Sequence, residues 1–553
     1  MTFLLLFTFT AGFQQPGGKW IQEFEGLGSS NRERFGGQVT SLGDLNGDQS
    51  SEILVTSPLL DLGDPGRLGQ FEIFSGADGT LIYKSSALDY HDATHLGTQA
   101  KGAGDFNQDG VPDFALTSVN PNGPPNYSVM IFSGLDFSLM HRIWGPLGYS
   151  RFGRNHLEGK TDLNGDGVPD LLIGDADYSI NLMFQGAVYA YDSATWNLMW
   201  VHEGQLPGTQ IGWSHSSIAD INGDSIHDVL TSSWQSGPSG SIHLLSGVDG
   251  TEIYRIDGTQ YDYSLGSGGL IALNDVTGDG CQEFVAGSIS HPSGSTGGHG
   301  YLNIYSGLGG GLIHQIQSES VDEWFPGEIV LVGDIDDDGF QEFATSDRTE
   351  LPGFGKGTVY VYSSRNWQVM GRIPGPKHSH VFGFELGAGA DVTGDGHPDL
   401  LVGDDGVVVN QMVNAGAAYI YSFEPFLRAS AKQVSASSGG QVDFDLQFPP
   451  EEAGKEYRML VSTDLPGSIV LGKMEIPLEH TPLTWAVAHN PPNWFTGSRG
   501  TLDANAHATA SAIFPANKFT SHVGTTLKFV ALTMRPIRKP DRSSAAVYVE
   551  IVP

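Results

Sequence analysis

Seven copies of one acidic nine-residue loop, a near-constant spacing between them and four short strand patterns within each spacing predict an all-β fold. The expected architecture is a seven-bladed β-propeller with an acidic loop between strands 1 and 2 of each blade, then a smaller β-sandwich-like domain. The expected divisions are a signal-like remnant at 1–15, the propeller at 19–425, a linker at 426–440 and the C-terminal domain at 441–553.

The chain opens with a short apolar run, Phe3 to Phe9, followed by Thr10 and Ala11. It is too short to span a bilayer. It resembles the apolar part of a secretory signal without a basic residue ahead of it, so export is the expectation.

Each repeat then reads alike. An apolar residue and a glycine come first: Phe35-Gly36, Leu96-Gly97, Phe152-Gly153, Ile211-Gly212, Leu265-Gly266 and Phe382-Gly383. The acidic loop follows, then a strand such as Glu52 to Val55 or Asp170 to Ile173. A third, alternating strand reads GQFEIFSG, YSVMIFSG, GAVYAYDS or GTVYVYSS, and a fourth reads GTLIYKS or GTEIYRIDG. The last repeat stops after its third strand, at Ser422-Phe423. Its missing fourth strand is expected from the front of the chain, Lys19 to Gly26, which would close the ring.

The loops start at Asp44, Asp105, Asp162, Asp220, Asp275, Asp334 and Asp391, spaced by 61, 57, 58, 55, 59 and 57 residues. Each places oxygen side chains at positions 1, 3, 5 and 9 and an apolar residue at position 2, and position 7 adds a carbonyl. The first loop thus offers Asp44, Asn46, Asp48, Ser50 and Glu52. The second offers Asp105, Asn107, Asp109, Val111 and Asp113, and the third Asp162, Asn164, Asp166, Val168 and Asp170. The fourth offers Asp220, Asn222, Asp224, Ile226 and Asp228, and the fifth Asp275, Thr277, Asp279, Cys281 and Glu283. The sixth offers Asp334, Asp336, Asp338, Phe340 and Glu342, and the seventh Asp391, Thr393, Asp395, His397 and Asp399. Alternating hard oxygen donors in a tight loop suit Ca²⁺, up to seven ions in all. A single copy is equally well read as a solvated Asp/Asn/Gly turn; repetition favours the metal. An EF-hand would need Glu at position 12, where Val55 and Ile173 stand.

Charge follows the loops. Formal net charge is -35, and 22 carboxylates occupy loop ligand positions. Before Ser430 acidic residues outnumber basic ones 52 to 17; beyond it they balance at 11 each. This argues against nucleic acid or an anionic membrane as the main partner. The single cysteine, Cys281, excludes an intramolecular disulfide.

The loops and the Phe-Gly openings resemble FG-GAP repeats, as in the N-terminal propeller of integrin α chains, over about Lys19 to Phe423. The Gly-Ala-Pro half is poorly kept, Thr56-Ser57-Pro58 being nearest. Integrin propellers carry the metal motif in only some blades, whereas here every repeat has it. No inserted ligand-binding domain, membrane span or cytoplasmic tail is visible, so the resemblance does not imply heterodimeric receptor function.

Residues 426–440 are rich in Ser, Ala and Gly, hence the linker expectation. Beyond them Val442, Phe444, Leu446 and Phe448 alternate with polar residues, as do Val547, Val549 and Ile551. GTLDANAHATASAIF and the closing VYVEIVP resemble a C-terminal all-β module of secreted repeat proteins from environmental bacteria.

No catalytic constellation is legible. There is no Gly-x-Ser-x-Gly elbow, and His202-Glu203 has Leu206 where a zinc protease has its second His. His91 and His95, and His378 and His380, read as loop residues; Trp144, Trp200, Trp213 and Trp234 read as packing or rim. Two function classes remain: an exported, calcium-stabilised adhesion or binding module for an extracellular protein or glycan, or a propeller enzyme acting on polysaccharide (a lyase) or phosphoesters. Partners are expected on the face opposite the acidic loops. The variable loops there hold Tyr90, His91, Asp92, Tyr149, Trp234, Tyr261, Asp262, Tyr263, Asp322 and Trp324.

Overall fold

The computed structural model describes residues 18–30, 32–59, 68–85, 94–120, 123–179, 182–234, 239–259, 264–289, 299–318, 325–350, 356–377, 379, 381–463, 469–471, 474–479, 481–489, 492–535 and 540–553. The signal-like segment lies outside them, as do Tyr90, His91, Asp92, Tyr261, Asp262, Tyr263, Asp322, Trp324, His378 and His380.

Seven four-stranded antiparallel sheets follow one another as blades of a propeller. Their first strands are Val39–Gly43, Ala100–Gly102, Leu157–Thr161, Ile211–Ile218, Leu265–Ala272, Ile329–Gly333 and Glu385–Ala390. These strands touch in that order, and the seventh touches the first. They are therefore the inner wall of a closed ring.

Closure comes from the N-terminal strand. Gly18–Leu27 pairs antiparallel with Ala417–Pro425 and is the fourth strand of the seventh blade. Trp20 packs on Phe423 with ring centroids 5.2 Å apart, and Ser422 Oγ donates to Glu23 Oε1 at 2.9 Å. A strand that would otherwise leave an open edge is thereby covered.

The Phe-Gly openings join neighbouring blades. Phe35, Leu96, Ile211 and Leu265 each make a parallel bridge to a glycine of the preceding blade: Gly416, Gly69, Gly186 and Gly240. The following glycines Gly36, Gly97, Gly153, Gly212, Gly266 and Gly383 all have φ between 74° and 84°, where a Cβ is disfavoured. At Gly36 a Cβ would also lie 2.0 Å from the Ala417 carbonyl oxygen. The motif thus needs an apolar anchor and a residue without a side chain.

The C-terminal part is built on two facing sheets, with a two-stranded sheet, Ile469–Leu471 and Met474–Ile476, and a helix, Pro482–His489, besides. One of the facing sheets orders Leu427–Ala429, Gly440–Gln447, His507–Phe514 and Phe495–Thr496. The other is built on Glu456–Thr463, Thr526–Met534 and Val547–Val552. Phe444 packs on Phe529 at 4.6 Å between ring centroids, and Val442, Leu446 and Phe495 complete the core. The stretch expected as a linker differs from that expectation: it carries strands Leu427–Ala429 and Gln433–Ser435. Phe426, Leu427, Val434 and Ala436 supply the reason, because they reach this core and are buried while Arg428, Ser430, Lys432 and Gln433 between them face water.

Candidate metal centres

All seven acidic loops connect strands 1 and 2 of their blades, on one face of the ring. Their backbone is the same each time. Positions 4 and 6 lie in the left-handed region in every copy: Gly47, Gln108, Gly165, Gly223, Gly278, Asp337 and Gly394, then Gln49, Gly110, Gly167, Ser225, Gly280, Gly339 and Gly396. The two reversals fold the loop around its first residue. The position-6 N–H donates to the position-1 carboxylate in all seven, at 2.7 to 3.0 Å.

The position-5 carboxylate accepts the position-7 N–H in all seven, at 2.8 or 2.9 Å. The position-9 carboxylate uses one oxygen to accept the N–H of position 2, at 2.6 to 3.0 Å. That explains the apolar residue at position 2. Leu163, Ile335 and Val392 are fully buried, which carries their amides inward to the carboxylate.

The second oxygen of position 9 differs between copies; in loop 2 Asp113 Oδ1 accepts the Gly134 N–H, from outside the loop, at 3.0 Å. In loops 1, 3, 4 and 5 it receives the position-3 side chain, as Asn46 Nδ2 to Glu52 Oε1 at 2.6 Å and Thr277 Oγ1 to Glu283 Oε1 at 2.9 Å. Glu342 Oε1, Asp399 Oδ1 and Asp336 Oδ1 are buried with no hydrogen-bond partner. Ligand oxygens of Asp275, Asp279 and Glu283 lie within 4.8 Å of one another, as do those of Asp334, Asp336 and Glu342. Orphaned carboxylate oxygens aimed at one another are costly without a cation and natural ligands with one. The residues present therefore fit a bound hard cation.

The electrostatics divide by position. At position 1, the desolvation cost is outweighed by several backbone N–H donors together, so Asp44 and Asp162 sit below the usual carboxylate range. At position 9, burial pushes Asp113 and Asp170 up to about 6 and Asp399 up to about 7. In the sixth loop burial, then the neighbouring carboxylates, drive Asp336 and Glu342 well above their usual range.

The sixth loop is also where the C-terminal domain meets the propeller. Lys432 Nζ lies 2.9 Å from Asp337 Oδ1 and 3.5 Å from Asp334 Oδ2. The Arg365 guanidinium stacks 3.5 Å from the Tyr548 ring and donates to the Asp338 carbonyl at 3.2 Å.

The opposite face is described only in part. Tyr149 is exposed and packs edge-on to Phe184, while Trp234 lies against Trp213 at 5.1 Å.

A second concentration of charge was not legible in the sequence. Lys101, Glu158 and Glu385, on the first strands of blades 2, 3 and 7, converge with Glu328 at the ring axis. Lys101 Nζ pairs with Glu328 Oε1 at 3.3 Å across 227 residues of chain, and Glu328 Oε2 accepts the Leu386 N–H at 2.8 Å. These residues share no motif; only ring closure joins them.

No family model matches the chain. Curated relatives are integrin α chains. The chain is 25% identical to integrin α-V of Gallus gallus over 233 residues, 39% of this chain and 21% of that protein. It is 23% identical to integrin α-PS2 of Drosophila melanogaster over 250 residues, 41% of this chain and 17% of that protein. It is 29% identical to integrin α-3 of Cricetulus griseus over 182 residues, 30% of this chain and 16% of that protein. The matches thus span about a fifth or less of these relatives' length. The propeller is consistent with an FG-GAP, integrin α N-terminal propeller-like protein. Among the described residues no helix is long and apolar enough to cross a membrane.

Proposed function

We propose that this integrin α-like chain is a calcium-stabilised binding module, exported or held at the cell surface, that engages an extracellular protein or glycan. The observation that carries the reading is the seven-fold loop with its inward-facing, partly orphaned carboxylates. Side chains at positions 1, 3, 5 and 9 and the carbonyl at position 7 would hold Ca²⁺. Filling the loops would lock one face of the ring and leave the opposite face for partners. The integrin names of the relatives support adhesion rather than catalysis.

The second reading, an enzyme of polysaccharide or phosphoester chemistry, is favoured by one observation, the axial cluster of Lys101, Glu158, Glu328 and Glu385. A panel of polysaccharides, glycans and matrix proteins, screened with calcium and with chelator and followed by product analysis, separates the two. Calcium-dependent retention of an intact ligand is the expected result. Released product that disappears in Lys101→Ala would replace binding with catalysis.

A further inference from the structure

Away from the acidic loops, the seam between blades 3 and 4 brings an imidazole of one blade to an imidazole and a carboxylate of the next. His202 is on the fourth strand of blade 3, Asn197–Glu203. His243 is on the third strand of blade 4, Ser241–Leu245, and Glu252 opens its fourth strand, Glu252–Asp257. One ligand atom from each lies within 4.8 Å of the others.

The seam is firmly built. Trp200 donates Nε1–H to the Gly247 carbonyl at 2.7 Å, and a Cβ on Gly250 would meet the Trp200 ring at 2.6 Å. Trp200 thus clamps the turn that leads into Glu252. Two residues further along the strand, His202 Nδ1 is 2.9 Å from the Gly250 carbonyl oxygen. A carbonyl can only accept, so the neutral ring carries its proton on Nδ1 and Nε2 has a bare lone pair. Such a carbonyl is the usual orienting partner of a metal-binding histidine.

His243 is buried. Its Nε2 is 2.9 Å from Ser241 Oγ and its Nδ1 is 2.6 Å from Glu252 Oε2. Without a cation, the proton sits on Nδ1 and points at the carboxylate. When a dication enters between Nδ1 and Glu252, that proton moves to Nε2, where Ser241 Oγ accepts it. No net proton is released. Glu252 is 39% exposed on its side chain, so it can withdraw to admit the ion. The nearby cation, Arg255, is engaged by Asp257 at 2.9 Å.

We propose that His202, His243 and Glu252 form a binding site for a zinc-type transition dication that clasps blades 3 and 4. Two imidazole nitrogens and one carboxylate favour such an ion over Ca²⁺ or Mg²⁺, which take oxygen ligands. Three protein ligands leave the fourth tetrahedral position to water. A hydrogen bond between His243 and Glu252 alone would not require a second imidazole within reach of the same point.

The test uses the full chain with calcium in excess, so that the outcome is independent of the acidic loops. Co²⁺ is titrated as the probe and its visible absorption followed, then Zn²⁺ is added to displace it. One equivalent should give the strong bands of four-coordinate Co²⁺, abolished by Zn²⁺. His202→Gln and Glu252→Gln, both at partly or fully exposed positions that the fold tolerates, should each lose the bands. Ser241→Ala should weaken binding about tenfold to a hundredfold, as expected of a group that orients a ligand. His522→Ala, at a distant exposed histidine, should behave as the parent. Absence of the bands in the parent, or bands that persist in both His202→Gln and Glu252→Gln, would overturn the site.

Discussion

Replacing Asp336 by Asn should have opposite effects on the metal-free and the calcium-loaded protein. Asp336 is the extra carboxylate of the sixth loop; four of the other copies have Asn at this position. Ligand oxygens of Asp334, Asp336 and Glu342 lie within 4.8 Å of one another. At that distance each ionised pair repels by about 3.5 kcal/mol in an effective dielectric of about 20. Proton uptake relieves part of this, in keeping with the raised pKa of Asp336 and Glu342. Asp336→Asn removes two of the three pairs, and we expect about 1–3 kcal/mol of stabilisation in chelator to survive protonation. With calcium the same change removes a charged ligand and should weaken that site about tenfold to a hundredfold, or about 1.4–2.8 kcal/mol. Calorimetry at pH 7.5, with calcium and with chelator, reads both signs. Destabilisation in both conditions would show that Asp336 supports the loop by hydrogen bonding and would refute the ligand assignment.

Three further outcomes are expected. Deleting residues 18–27 should expose the Ala417–Pro425 edge and produce aggregation on gel filtration; a monomeric variant as heat-stable as the parent would remove the closure argument. Asp175 is fully buried, accepts from Ser150 Oγ at 2.5 Å, and burial raises it to about 6. Its native state therefore binds a proton that the unfolded state releases between about pH 4 and 6, so this group's contribution to stability rises as pH falls through that window. Asp175→Asn should flatten that slope, by at most about 3 kcal/mol in urea titrations at pH 4.5 and 7.5. Gln49 and Ser225 occupy position 6 with φ of 75° and 73°, where the other five loops have glycine. Gln49→Gly and Ser225→Gly should each stabilise by about 0.5–1 kcal/mol, and a loss in both would show that these side chains do more than tolerate the turn.

The blades were legible because two periods coincide, the two-residue alternation of the strands and the return of the loop about every 58 residues. Ring closure was legible because the last repeat lacks one strand and the chain begins with a spare one. The loops' repeated oxygen side chains were legible, but the hydrogen bond from position 2 to position 9 was not, since an apolar side chain does not advertise its amide. The two strands inside 426–440 were hidden by the Ser and Gly around four core residues. The axial cluster and the His202–His243–Glu252 group were hidden for another reason. The axial residues come from different repeats, and only the closed ring sets them side by side; His202 of blade 3 meets His243 and Glu252 of blade 4 only where the two blades pack. His202 looked solitary because its partner is not on its own strand.

Counting bound calcium tests the account most directly. Equilibrium dialysis against micromolar free Ca²⁺, read by atomic emission, should give seven ions per chain. Replacing Asp391 and Asp395 together by Ala should give six with the propeller still folded. Protein that leaves dialysis without calcium, or a count unchanged by the double substitution, would contradict the assignment of these loops.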